Sequence, residues 1–167
     1  MDKKDLSVTE EILEILENNS KYTIEQIAVM VNRSVEEVKE IISKLENENV
    51  IAGYKTIVDW DKTPKETVTA LIEVKVTPQR GEGFDKVAER ISRYPQVKAC
   101  YLMSGGFDLT VIIEGKSLRE VANFVAEKLA PLESVVSTST HFVLKKYKEN
   151  GTIFEKADTD DREVVVL

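Results

Sequence analysis

One cysteine, one histidine and one tryptophan are all that the 167 residues hold of those types. A single Cys100 has no partner for an internal disulfide and cannot build a multi-thiolate metal site, and it suits a reducing compartment. Set among strand-like residues, it reads as a small buried hydrophobe. A single His141 removes the histidine cluster on which a metal centre or an acid–base site is usually built. No metal, cofactor or catalytic residue is therefore expected. Apolar runs such as Leu109-Thr110-Val111-Ile112-Ile113 fall far short of the ~20 residues that span a bilayer. The first residues, MDKKDLS, are charged and lack a signal-peptide core, so a cytoplasmic protein is expected.

Positive charge is scarce as well. The chain carries 23 Lys and Arg against 30 Asp and Glu, a net of −7, and the deficit is uneven. Residues 1–62 hold eight against fourteen, residues 63–149 thirteen against eleven, and residues 150–167 two against five. What is plentiful is apolar residue, 42% beside 32% charged, the balance of a globular chain of one domain or two small ones.

Residues 1–53 carry three helix patterns, each begun by a capping-box pair: Ser7 with Glu10, Thr23 with Gln26, Ser34 with Glu37. The first pattern buries Val8, Ile12, Ile15 and Leu16 and stops at Asn18-Asn19-Ser20. The second buries Ile24, Ile27, Ala28 and Val31, and Asn32 sits where the chain turns, a residue that tolerates left-handed backbone. The third aligns Val38, Ile41, Ile42 and Leu45 on one face. The short turn between the last two predicts a helix-turn-helix, followed by a strand pair through Val50–Tyr54 and Thr56–Val58. Such a unit serves nucleic acid or protein binding, and an acidic one lacks the usual electrostatic footprint for DNA. Opposite the buried stripe lie Glu36, Glu40, Ser43 and Asn47, flanked by Lys39 and Lys44, with Glu40–Lys44 spaced for pairing at i, i+4.

Residues 66–149 repeat a unit of strand, helix and strand. The first unit has a strand at 67–76, a helix with Phe84, Val87, Ala88 and Ile91 on one face, and a strand at 97–103. The second has a strand at 109–114, a helix with Leu118, Val121, Val125 and Leu129 capped by Ser117 and Glu120, and a strand at 135–146. The order βαββαβ predicts a ferredoxin-like α+β domain with both helices on one face of an antiparallel sheet. Leu71, Ile112, Phe142 and Leu144 are expected on the other face, which then needs a covering layer. Ser104-Gly105-Gly106-Phe107-Asp108 forms the central hairpin loop. One reading is that the glycines turn the chain. The other is that they expose backbone N–H groups to a carboxylate while Asp108 accepts from an ammonium, as a free amino acid would require. In the tail, an acidic turn at 157–161 is expected between strands Thr152–Phe154 and Val164–Val166, which either edge their own domain or clasp a neighbouring subunit. Trp60 and Tyr54 read as packing anchors between domains.

This order of parts, with Ile12-Leu13, Ile27-Ala28, Ser34, Leu45-Glu46, Ile51-Ala52-Gly53-Tyr54 and the Ser104–Asp108 loop, resembles the Lrp/AsnC family of transcriptional regulators over residues 6–148. The resemblance implies a winged helix-turn-helix head over residues 1–62, a βαββαβ (RAM) domain over 63–149 that binds effector and oligomerises, and an acidic tail over 150–167. It implies double-stranded DNA and an amino-acid effector as partners, homodimers and octamers as assemblies, and no enzymatic activity. Arg33, Ser34 and Lys39 are then expected at DNA phosphates, Glu36 and Glu40 in the groove, and Ser104, Gly105, Gly106, Phe107 and Asp108 at the effector. Two departures stand out: Gly106 replaces an acidic residue common in the family, and Arg33 replaces an apolar one. The competing reading is a sensor whose head binds protein.

Overall fold

A computed structural model describes residues 3–77 and 83–154, and the chain divides into two compact units, Met1–Thr56 and Ile57–Leu167. In the first unit, helices α1 (Lys3–Asn18), α2 (Ile24–Met30) and α3 (Val35–Asn47) close on a core of Ile12, Ile27, Ala28, Val31, Val38 and Ile42. The expected capping boxes form at Thr23 with Gln26 and at Ser34 with Glu37. Ser7 is not a cap: α1 already starts at Lys3. The residues ahead of Ser7 include no Pro or Gly, so nothing stops the helix from extending through them.

Both helix-turn-helix boundaries end on asparagine. After α2, Asn32 takes φ 51°, and the Arg33 N–H donates to the Ala28 carbonyl at 3.0 Å. After α3, Asn49 takes φ 56° and the Val50 N–H donates to the Leu45 carbonyl at 2.9 Å. Each is a Schellman-type stop that satisfies carbonyls left open at a helix end. The expected strand pair at 50–58 does not form, for these residues run without a ladder.

In the second unit, one turn of 3-10 helix at Trp60–Lys62 precedes β1 (Val68–Val76), α4 (Asp85–Ser92), β2 (Val97–Leu102), β3 (Leu109–Gly115), α5 (Leu118–Phe124) and β4 (Val135–Phe142). The strands pair antiparallel in the order β2-β3-β1-β4, the ferredoxin-like arrangement. Ala70, Ile72, Val74 and Val76 alternate onto the helix side and meet Leu109, Val111 and Ile113 there. Past α5 the helix widens into a π turn, Val125–Leu129, which brings Phe124 and Leu129, five residues apart, into the same core. Cys100 is half-buried against that core, and burial pushes its thiol pKa up.

Register corrects the expected outer face. Phe142 pairs with Ala70 and so points to the helix side, whereas Leu71 and Ile112 lie opposite each other on the outer face. The last strand ends at Phe142 rather than Lys146, which leaves Leu144 97% exposed beyond it. Tyr101, Glu73, Ser139 and His141 share the outer face by the same register, with His141 Nε2 3.5 Å from Glu73 Oε1. A two-residue pair, β5 (Lys148–Glu149) with β6 (Thr152–Ile153), follows around Asn150-Gly151, both at positive φ as a type I′ turn demands. Thr152 thus pairs backward along the chain, and the expected turn at 157–161 and strand at 164–166 lie outside the described residues.

Candidate functional site

On α3 the structure brings Glu36, Lys39, Glu40, Ser43 and Asn47 to one exposed, shallow surface. Helical periodicity explains this: the opposite face is spent on Val38, Ile42 and Leu45. Lys44 lies 3.9 Å from Glu48, not on Glu40, so the expected Glu40–Lys44 pair is absent. Glu40 enters none of the ion pairs among the described residues.

Arg33 and Ser34 are more committed than Lys39. Arg33 Nη1 is 3.9 Å from Glu37 Oε1. The Ser34 hydroxyl donates to Glu37 Oε2 at 2.9 Å and accepts from the Glu37 N–H at 3.2 Å. Bonds from the Ser34 backbone and hydroxyl, with Arg33 adding charge, hold the Glu37 carboxyl below its ordinary pKa. The Tyr54 phenol donates to Glu46 Oε1 at 2.9 Å, a bond within the same unit, and burial followed by Glu46 raises its pKa.

The other candidate is the loop between β2 and β3. The Met103 N–H donates to the Asp108 carbonyl at 2.8 Å and closes a four-residue turn over Ser104, Gly105, Gly106 and Phe107. Neither Gly105 nor Gly106 has a positive φ, and a Cβ added at either meets no atom within 4 Å. Both glycines thus sit in the hairpin turn, as the first reading has it, though neither takes the left-handed backbone that favours glycine. Their backbone is open to the exterior. Asp108 does something the sequence did not suggest. Its Oδ2 accepts the Val76 N–H at 2.8 Å and its own N–H donates to the Val74 carbonyl at 3.1 Å, so it ties the start of β3 to the end of β1. Only a register puts Asp108 beside Val76, 32 residues away, and no local pattern signals that.

The family described as the Lrp/AsnC ligand binding domain matches residues 69–153, and winged helix-turn-helix DNA-binding matches residues 7–52. The uncharacterized HTH-type transcriptional regulator YugG of Bacillus subtilis (strain 168) is 57% identical over 156 residues, which span 93% of this chain and 94% of that protein. Among solved structures, the transcriptional regulator NMB0573 of Neisseria meningitidis, in complex with L-Met, matches with TM-score 0.68 and 21% identity over 89% of this chain and 93% of its own. The leucine response regulatory protein LrpA of Mycobacterium tuberculosis matches with TM-score 0.73 and 16% identity over 90% and 97%. At those identities the two structures speak for the fold.

Proposed function

Since the chain belongs to the Lrp/AsnC family of DNA-binding transcriptional regulators, and is not an enzyme, we propose that it is a cytoplasmic regulator whose DNA binding responds to a free amino acid held at the Ser104–Asp108 loop. The observation that carries this reading is the pair Gly105-Gly106. The chain's own turn and packing have no use for the missing side chains, while open backbone N–H groups suit a carboxylate. Asp108, half-buried beside them, supplies the negative charge for an ammonium. The L-Met in the complex of the Neisseria relative is a ligand of that class. Among the described residues no second layer covers the outer sheet face with Leu71 and Ile112, and a second copy of the domain covers it in our reading, giving dimers and from them octamers.

In the head, Arg33 and Lys39 with the helix start at Ser34 contact phosphate, and Glu36 and Glu40 face the major groove. Carboxylates there accept from cytosine amino groups and repel backbone phosphate. With only ~2–4 phosphates neutralised per head, the salt slope stays shallow, and affinity comes from linked heads on phased half-sites.

Calorimetry with a panel of free amino acids tests the loop. Gly106→Val abolishes binding with the oligomer intact, and Asp108→Asn, which keeps an acceptor for Val76, weakens it by about 1.5–3 kcal/mol. Unchanged binding in both variants removes the effector assignment. Mobility shifts at two salt concentrations test the head. An intact oligomer that selects no sequence at low salt leaves the acidic head as a protein-binding surface instead.

A further inference from the structure

A second concavity lies at the opposite end of β1 from the glycine loop. Asp108 is bonded to Val76, the last residue of β1, whereas this cavity is walled by Thr67 and Thr69 at the strand's start. A rise of ~3.3 Å per residue over that strand separates the two sites by roughly 25–30 Å. The remaining walls come from stretches far apart in sequence: Trp60 and Asp61 of the 3-10 turn, Val143 just after β4, and Phe154 just after β6. They enclose about 110 Å³. The chain assembles these walls itself, since Lys62 Nζ donates to the Phe154 carbonyl at 3.1 Å and sits 2.9 Å from Asp59 Oδ2.

Two groups on the wall are left over. Thr67 Oγ1 is buried and has no hydrogen-bond partner, a state folded proteins seldom keep without a reason. Asp61 enters none of the ion pairs among the described residues, while its neighbour Asp59 is matched by Lys62 and the rim residue Lys146 by Glu149 at 3.3 Å. Lys145 is drawn over the Tyr147 ring at 5.1 Å. Lys65 in turn lies over the Trp60 ring at 3.8 Å, so what the cavity leaves open is the exposed carboxylate of Asp61 and the buried, unpartnered hydroxyl of Thr67.

We infer that this cavity is a binding site, independent of the glycine loop, for a small primary ammonium that bears a short apolar group. The ammonium donates to Asp61 and, after rotation about one side-chain bond, to Thr67 Oγ1. Its apolar part lies against Val143 and shares the Trp60 ring with the Lys65 ammonium already over it. Neither glycine-loop residues nor the α3 surface take part. The shared chemistry is the cationic nitrogen, and its sources are a simple amine or an amino acid. Because Trp60 and Asp61 directly precede the sheet in the chain, occupancy fastens that turn to the start of β1.

Trp60 is the sole tryptophan, so its emission reports on this site alone. Full-length Gly106→Val protein, with the glycine loop silenced, is titrated with isobutylamine, leucine and N-acetyl-leucine. A saturable shift is expected with isobutylamine, with leucine, or with both, which identifies the source; N-acetyl-leucine, lacking the ammonium, gives none. Asp61→Asn and Thr67→Val, each placed in that background, weaken the response by about tenfold or more, the scale of a hydrogen bond to a charged group. Unchanged circular dichroism qualifies each variant, and the exposed Asp61→Asn alone suffices where Thr67→Val fails to fold. The inference is overturned by a flat response through the millimolar range, by equal binding of N-acetyl-leucine, or by a response indifferent to Asp61→Asn. Since the loop is already disabled, none of these results bears on the effector reading.

Discussion

The head and the effector domain are held together by different means. Among the described residues, six buried ones form the head core, against twelve in the effector domain. The head compensates at its helix ends, with two complete capping boxes and two asparagine stops. In the effector domain α5 is capped by Ser117, whose hydroxyl accepts from the Glu120 N–H at 3.2 Å, but α4 has no side-chain cap, and the sheet ladder with its buried face sets most positions instead. Local signals therefore shape the head, and long-range pairing shapes the effector domain. The difference also separates their surfaces: α3 leaves a whole face exposed, whereas the effector domain presents loops at both ends of its sheet.

The largest test of this contrast compares Ile12→Ala with Ile72→Ala, both fully buried. Each costs about 2–5 kcal/mol. That loss unfolds the small head as a separate early transition in calorimetry, while the effector domain carrying Ile72→Ala melts lower but remains folded at room temperature. A single shared transition in both variants breaks the comparison. Next, Asp108→Ala removes the acceptor of the Val76 N–H and lowers effector-domain stability by about 1.5–3 kcal/mol, with the head transition unmoved. Urea titration followed at Trp60 reads it. Ser34→Ala then removes a cap and costs the head about 0.5–2 kcal/mol by far-UV melting, with the effector domain unmoved.

The smallest effect is one of pH. The Ser34 hydrogen bonds keep the folded-state pKa of Glu37 below its unfolded value, and the Thr23 hydroxyl does the same for Glu25. Their contribution is then fully present above the unfolded value of ~4.3 and is lost as pH falls through the folded one. The head melts earlier than the effector domain on acidification, and Glu37→Gln flattens that dependence. An unchanged acid profile in Glu37→Gln assigns the effect to other carboxylates.

This division also accounts for what was legible in the sequence. Thr23, Ser34 and Asn32 act on neighbours three to five residues away, so pattern alone located them. Ser7 misled because its spacing to Glu10 fits a cap, yet nothing before it halts a helix. The βαββαβ order was readable from periodicity, but the side on which Phe142 points depends on pairing with Ala70, which no local window contains. The same holds for the glycine loop. Its position was plain from the sequence, whereas the Asp108–Val76 tie appears only once β3 lies against β1. The cavity at Trp60 was invisible for that reason in stronger form, since its walls come from four stretches between Trp60 and Phe154.

The Asp108 tie has a kinetic and calorimetric corollary. With one end of the glycine loop bonded to β1 and the other closed by the Met103–Asp108 bond, only the four residues between are left to move. Their ordering entropy is largely spent before a ligand arrives, so capture should proceed in one step, without a slow rearrangement phase in stopped-flow traces. In the amino-acid site proposed above, a loop fixed in this way grips the ammonium and carboxylate common to all amino acids with equal ease. Discrimination among them then falls to whatever surrounds the side chain.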